Sequence, residues 1–164
     1  MGVLTDYFRA ADAATVVRAL ELTEGGLPPL GGEGSFDGVE AKGVDPDVVL
    51  GQLVAVVLGE PWRTGLVTET AVWPATPAPG PSGPADEDDP WATGPWVTEL
   101  GAAARDALAA IPDERVPEAV GRWAEAEEWD GADPSDLLPL AEELIALARR
   151  ARAAGERLYC WICL

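Results

Sequence analysis

A run of seven prolines between positions 74 and 95 limits this 164-residue chain more than any other feature. They stand at 74, 77, 79, 81, 84, 90 and 95. Each proline fixes φ near about −65° and removes a backbone N–H, so the segment is predicted to form neither a helix nor a central strand. It reads as one long surface loop, and loops of that length are as a rule functional or disordered. Asp86, Glu87, Asp88 and Asp89 stand together inside it, flanked by Trp73, Trp91 and Trp96.

On either side of the loop the apolar spacing is that of ordinary secondary structure. Residues 2 to 8 predict a strand covered on both sides, with Val3 and Tyr7 on one face and Leu4 and Phe8 on the other. Asp12 caps a helix whose stripe is Val16, Val17 and Leu20, and Gly25-Gly26 ends it. A Gly- and Pro-rich loop covers residues 25 to 38. Asp45-Pro46 opens a second helix, apolar on most faces from Val48 to Leu58, and Gly59 stops it. Residues 66 to 73 alternate weakly as a strand.

After the loop, Trp96 to Leu100 reads as a short strand and residues 101 to 110 as a helix. A further helix spans 113 to 128, with Val116, Val120 and Trp123 buried. The last helix opens at Asp133-Pro134, carries Leu140, Leu144, Leu147 and Ala151 as its core stripe, and ends at Gly155. Residues 157 to 164 close the chain as a strand. The pattern predicts one α+β domain over residues 1–164. It has a small mixed sheet that includes both terminal strands, and about five helices.

The charge narrows the function. There are 29 acids against 11 basic residues, a formal charge of −18. That balance argues against nucleic acid, whose phosphates demand a basic face, and against anionic membrane surfaces. Residues 81 to 136 hold fifteen acids against three arginines, a net −12. The field therefore belongs to the proline loop and the helices that follow. The chain has no histidine, which removes Ser–His–Asp and Cys–His catalysis, an imidazole base and His metal ligation.

Few other motifs carry chemistry. Cys160-Trp161-Ile162-Cys163 has C-x-x-C spacing, but it falls on the closing strand, where positions three apart face opposite ways. It therefore reads as two small hydrophobes rather than a redox pair. The 86–89 run lacks the spacing of an EF-hand. Glu125 and Glu128 fall on one helical face and read as solvated. Lys42, the only lysine, reads as an ion-pair partner of Glu40 or Asp45 at the entry to the second helix. No cofactor or metal site is predicted. The N-terminus lacks a basic, then apolar, leader pattern, so a cytoplasmic location is the expectation.

The two ends of the chain carry a resemblance. Met1-Gly2-Val3-Leu4 with Tyr7-Phe8 resembles the opening of the YfbM-like bacterial proteins, a family of unknown function. Lys42, the buried helix Val48 to Leu58 and Gly59 are similar to a segment of that family. So is the long last helix followed by Ala154-Gly155 and an apolar strand. Pro74 to Pro95 departs from the pattern. The resemblance implies an α+β domain and supplies no activity.

These features predict a non-enzymatic protein that binds a basic protein partner, of which an immunity-type inhibitor of a basic toxin or nuclease is a concrete version. Its contact residues would be Trp73, Asp86, Glu87, Asp88, Asp89, Trp91 and Trp96. The alternative is a histidine-free enzyme or small-ligand protein using carboxylates, Lys42 or Tyr7 in a pocket.

Overall fold

The computed structural model describes residues 2–26, 30–31 and 34–164. Five strands form one sheet: β1 (Leu4–Ala10), β2 (Gly38–Glu40), β3 (Glu69–Trp73), β4 (Trp96–Leu100) and β5 (Arg157–Cys163). Their spatial order is β2-β1-β5-β4-β3, so both terminal strands lie inside the sheet, side by side. Every pair is antiparallel, which corrects the expectation of a mixed sheet. The physical reason lies in the pairing of β1 with β5. Chain ends that run into the sheet from opposite sides pair head to tail, so no parallel crossover is needed.

The helices are α1 (Ala13–Leu22), α2 (Val49–Leu58), α3 (Pro90–Thr93), α4 (Ala102–Ala110), α5 (Val116–Trp123) and α6 (Pro134–Ala154). Caps placed from the sequence do their work. The Asp12 carboxylate accepts from Thr15 N–H at 2.8 Å, and that of Asp133 accepts from Ser135 N–H at 2.8 Å. Gly59 and Gly155 end α2 and α6 in the left-handed conformation. Asp45 accepts from Val48 and Val49 N–H groups, although its first turn is irregular and α2 proper begins at Val49.

Two apolar layers sandwich the sheet. On one face α2, α4, α5 and α6 bury Leu50, Leu53, Leu108, Trp123, Leu144 and Leu147 against Tyr7, Leu158 and Cys160. On the other, Val16 and Leu20 of α1 pack on Phe8, Val97 and Tyr159. Phe8 stacks between Phe36 at 4.7 Å and Tyr159 at 5.5 Å. Thus β1 is covered on both sides, as its sequence predicts. Val17 and Leu140, placed in core stripes from their spacing, are half-buried.

The segment 113 to 128 departs from the single helix expected. It is a 3-10 turn (Asp113–Arg115), then α5, then a second 3-10 turn (Glu127–Trp129). The break lets Trp129 fold back and meet Trp123 edge-on, with ring centres 4.8 Å apart. Trp123 is 1% exposed, and its indole N–H donates to Val49 carbonyl at 2.8 Å. Glu125 and Glu128 therefore do not share a helical face. Gln52 instead donates to Glu128 at 3.0 Å.

Candidate functional site

The β ladders place residues from all five strands in one row. Glu40 stands opposite Asp6, Asp6 opposite Trp161, Trp161 opposite Val97, and Val97 opposite Trp73. Directly opposed residues share a face of a sheet, so the row Glu40–Asp6–Trp161–Val97–Trp73 lies on the α1 side. It reads acid, acid, indole, valine, indole.

α1 covers the middle of this face and leaves one end open. Val97 is fully buried, Asp6, Trp161 and Trp73 are half-buried, and Glu40 is exposed. One step further out, Leu4 is 46% exposed opposite a half-buried Cys163. The turn after α1 fixes the two indoles. Trp161 N–H donates to Gly25 carbonyl at 3.0 Å. Gly25 has φ +87°, and a Cβ there would lie 3.0 Å from Trp73 Nε1 and 3.3 Å from a Pro95 carbon. Only glycine meets both demands.

The electrostatics at the open end are unbalanced. Neither Asp6 nor Glu40 forms an ion pair among the described residues. Burial, and then the Glu40 carboxylate opposite, push the Asp6 carboxyl above its ordinary value. The cluster around Asp37 is balanced instead. Asp37 takes two hydrogen bonds from Arg150, at 2.7 and 2.9 Å, and one from Arg9 at 2.6 Å, and Arg9 also reaches Glu156 at 3.0 Å.

The proline loop rises from this same end of the sheet, because Trp73 and Trp96 are its two stems. It is folded on itself through local hydrogen bonds. Asp86 accepts from Asp88 N–H at 3.0 Å. Asp89 accepts from Trp91 N–H at 2.8 Å and so caps α3, whose first residue is Pro90. That one-turn helix was not expected in the segment; proline fits the first helical position because its missing N–H has no partner there. The Trp91 indole N–H donates to Thr76 hydroxyl at 3.0 Å, and the Trp96 indole N–H to Trp91 carbonyl at 3.2 Å. Asp86, Glu87 and Asp88 are exposed, and none of the four acids is in an ion pair among the described residues.

The three tryptophans singled out in the sequence do not converge. Trp73 lies on the α1 face. Trp96, opposite Ile162 in the ladder, lies on the other face. Trp91 belongs to the loop itself. Their indole nitrogens are held by the loop or stand against the α1 turn, so what they offer a partner is apolar ring surface.

The chain is similar to the crystal structure of YfbM from Escherichia coli, a protein of unknown function. The match covers 97% of this chain and 99% of that one, with a TM-score of 0.41 and 10% identity. No protein-family model and no curated protein sequence matches the chain.

Side chains named for the alternative chemistry stand apart. Lys42 is exposed and forms no ion pair among the described residues, which corrects its expected pairing with Glu40 or Asp45. Its side chain lies by Gly2, where a Cβ would stand 3.2 Å from Lys42 Cε, while Asp45 is occupied by the α2 N–H groups. Tyr7 is 1% exposed and donates to Val44 carbonyl at 2.7 Å. A cleft of about 190 Å³ between α2, α4 and α5 is lined by Val56, Ala107, Ile111, Arg115 and Arg122, and includes neither Lys42 nor Tyr7. Among the described residues no group of three or more Cys, Asp or Glu is placed to hold a metal ion, and no helix is long and apolar enough to cross a membrane.

Asp6, Glu40 and Trp161 were missed in the sequence. Asp6 did leave a signal: a charged residue in the middle of a strand otherwise apolar on both faces. The pairing that sets it beside Glu40 and Trp161 joins residues 34 and 155 positions away, and no local pattern encodes that.

Proposed function

We propose that this protein is a non-enzymatic binding protein for a basic protein partner. The observation that carries the reading is the acid and indole row at the open end of the sheet, continued by the acidic loop at its stem. A partner's lysine or arginine would neutralise Asp6 and Glu40 and lie against the face of Trp161. The four loop acids, in no ion pair among the described residues, would steer the encounter. Trp73, Trp91 and Trp96 would supply apolar contact on a loop already ordered, which lowers the entropy lost on binding. An immunity-type inhibitor of a basic toxin or nuclease is the concrete form of this reading. Its compartment would be the cytoplasm, where thiols such as Cys160 and Cys163 stay free.

The test is affinity capture from the native cell, followed by titration of the purified partner. Wild type is compared with Trp91→Ala, with Asp6→Asn/Glu40→Gln, and with the loop acids changed to their amides. A basic partner should bind at least about tenfold more weakly as salt rises from about 50 to about 500 mM. It should also lose affinity in the neutralised variants. A partner indifferent to salt and to all three variants would sink the proposal.

A further inference from the structure

β3 is an edge strand, and its register shows which backbone groups face outward. Gly101 N–H donates to Thr68 carbonyl at 2.8 Å, so 68 and 101 form a hydrogen-bonded pair. Two residues on, Thr70 and Glu99 form the next such pair. Glu69 opposite Leu100 and Ala71 opposite Thr98 are the non-bonded pairs between them. In those positions the N–H and C=O groups of Glu69 and Ala71 point away from β4. No hydrogen bond is made by these four groups among the described residues. Glu69, Thr70 and Ala71 are all exposed, so neither helix layer covers the edge. The register shifts between Ala71 and Trp73, which ends the flat part of the edge at Ala71.

We propose that the basic partner binds here by adding an extended Lys- or Arg-bearing segment as a sixth strand, paired with the backbone of Glu69 and Ala71. The inference rests on the basic-partner reading above and gives it a geometry. Charge selects this occupant. The Glu69 side chain accepts from Thr98 hydroxyl at 2.8 Å but forms no ion pair among the described residues. Partial desolvation, together with the Asp47 and Asp45 carboxylates, holds its carboxyl above the ordinary value. At its other end the strand runs through Trp73 into the loop of Asp86 to Asp89. A second copy of the chain would bring two charges of −18 together with Glu69 in the shared edge, so self-pairing is disfavoured. An extended basic segment meets the Glu69 carboxylate, near those of Asp45 and Asp47, beside outward-facing backbone groups.

The test uses the full chain and a synthetic peptide of about six residues alternating lysine and valine. Spermine, a cation without a backbone, and the same peptide N-methylated on alternate amides are the comparators. Amide exchange at Glu69 and Ala71 should be fast in the free protein and slow at least about tenfold with peptide. Exchange at Thr70, already bonded to Glu99, should not change. Ala71→Pro, which removes one outward N–H without touching the β4 ladder, should weaken binding about tenfold with the melting temperature retained. If that variant does not fold, N-methylation reports the same loss on wild type. Equal binding of the N-methylated peptide, or protection confined to Asp6, Glu40 and the loop, overturns strand addition and leaves the basic-partner reading standing. Failure of both peptide and spermine to bind at low salt overturns both.

Discussion

Asp6 and Glu40 stand directly opposite one another across the β1–β2 ladder, two carboxylates that form no ion pair among the described residues. Like charges in that relation destabilise a sheet. Because the folded state holds the Asp6 carboxyl above its ordinary 3.8, the native protein binds that proton more tightly than the unfolded chain does. The contribution of Asp6 to stability therefore falls as pH rises from 3.8 through its folded value. Asp6→Asn should remove this slope and raise stability at neutral pH by about 0.2–1 kcal/mol. Denaturant unfolding from pH 4 to 7 checks it; an unchanged slope would count against the assignment.

Asp37 has the opposite sign. The Arg150 and Arg9 guanidinium groups hold its carboxylate below the ordinary value, against the effect of burial. Its stabilisation is present above the unfolded value of 3.8 and is lost as pH falls through the lower folded one. Asp37→Ala should cost about 1 kcal/mol at neutral pH, since solvent screens a site this exposed. It should also leave Arg9 paired only with Glu156. A double-mutant cycle with Arg150→Ala measures the coupling.

Gly38 admits no side chain. A Cβ there would lie 2.4 Å from Tyr7 carbonyl oxygen and 3.0 Å from Phe8 Cβ, the first of which is backbone and cannot swing aside. Gly38→Ala should cost about 1–3 kcal/mol by overpacking and loosen the β1–β2 pairing. Thermal unfolding and amide exchange in β1 read the effect.

Trp123→Ala should be the most destabilising single change considered, at about 3–5 kcal/mol. It removes a fully buried indole, its bond to Val49 carbonyl and the edge contact with Trp129. Trp123→Phe keeps most of the volume and should recover more than half of that loss. Chemical denaturation of the two variants decides it.

The cysteines should differ in reactivity. Cys160 is fully buried, and burial pushes its thiol well up. Cys163 is half-buried near the sheet's open end. A thiol reagent should label one cysteine in the folded protein and two after unfolding. Labelling should be blocked in Cys163→Ser.

Much of the architecture is written in local order. The caps Asp12 and Asp133, the stop glycines 59 and 155, and the two-sided apolar strand around Tyr7 and Phe8 all follow from steric and hydrogen-bond preferences within a few residues. The prolines also fix locally that 74 to 95 is no ordinary element, although the Asp89 cap and Pro90 were enough to wind one turn of helix inside it. The break at Trp123–Trp129 was not legible, because it serves an aromatic contact that outweighs continued helix.

The sequence by itself determined the α+β class, the place of the acidic loop and the exclusion of imidazole chemistry, since each depends on residue type and near neighbours. Tertiary structure alone decided that all strand pairs are antiparallel, that Trp73 and Trp96 part to opposite faces, and that Asp6 meets Glu40 and Trp161. Those outcomes depend on ladder register between distant segments. A shift of one residue would exchange the two faces, and burial of Phe8, Val97 and Tyr159 under α1, with Tyr7, Leu158 and Cys160 under the other helices, holds the register in place.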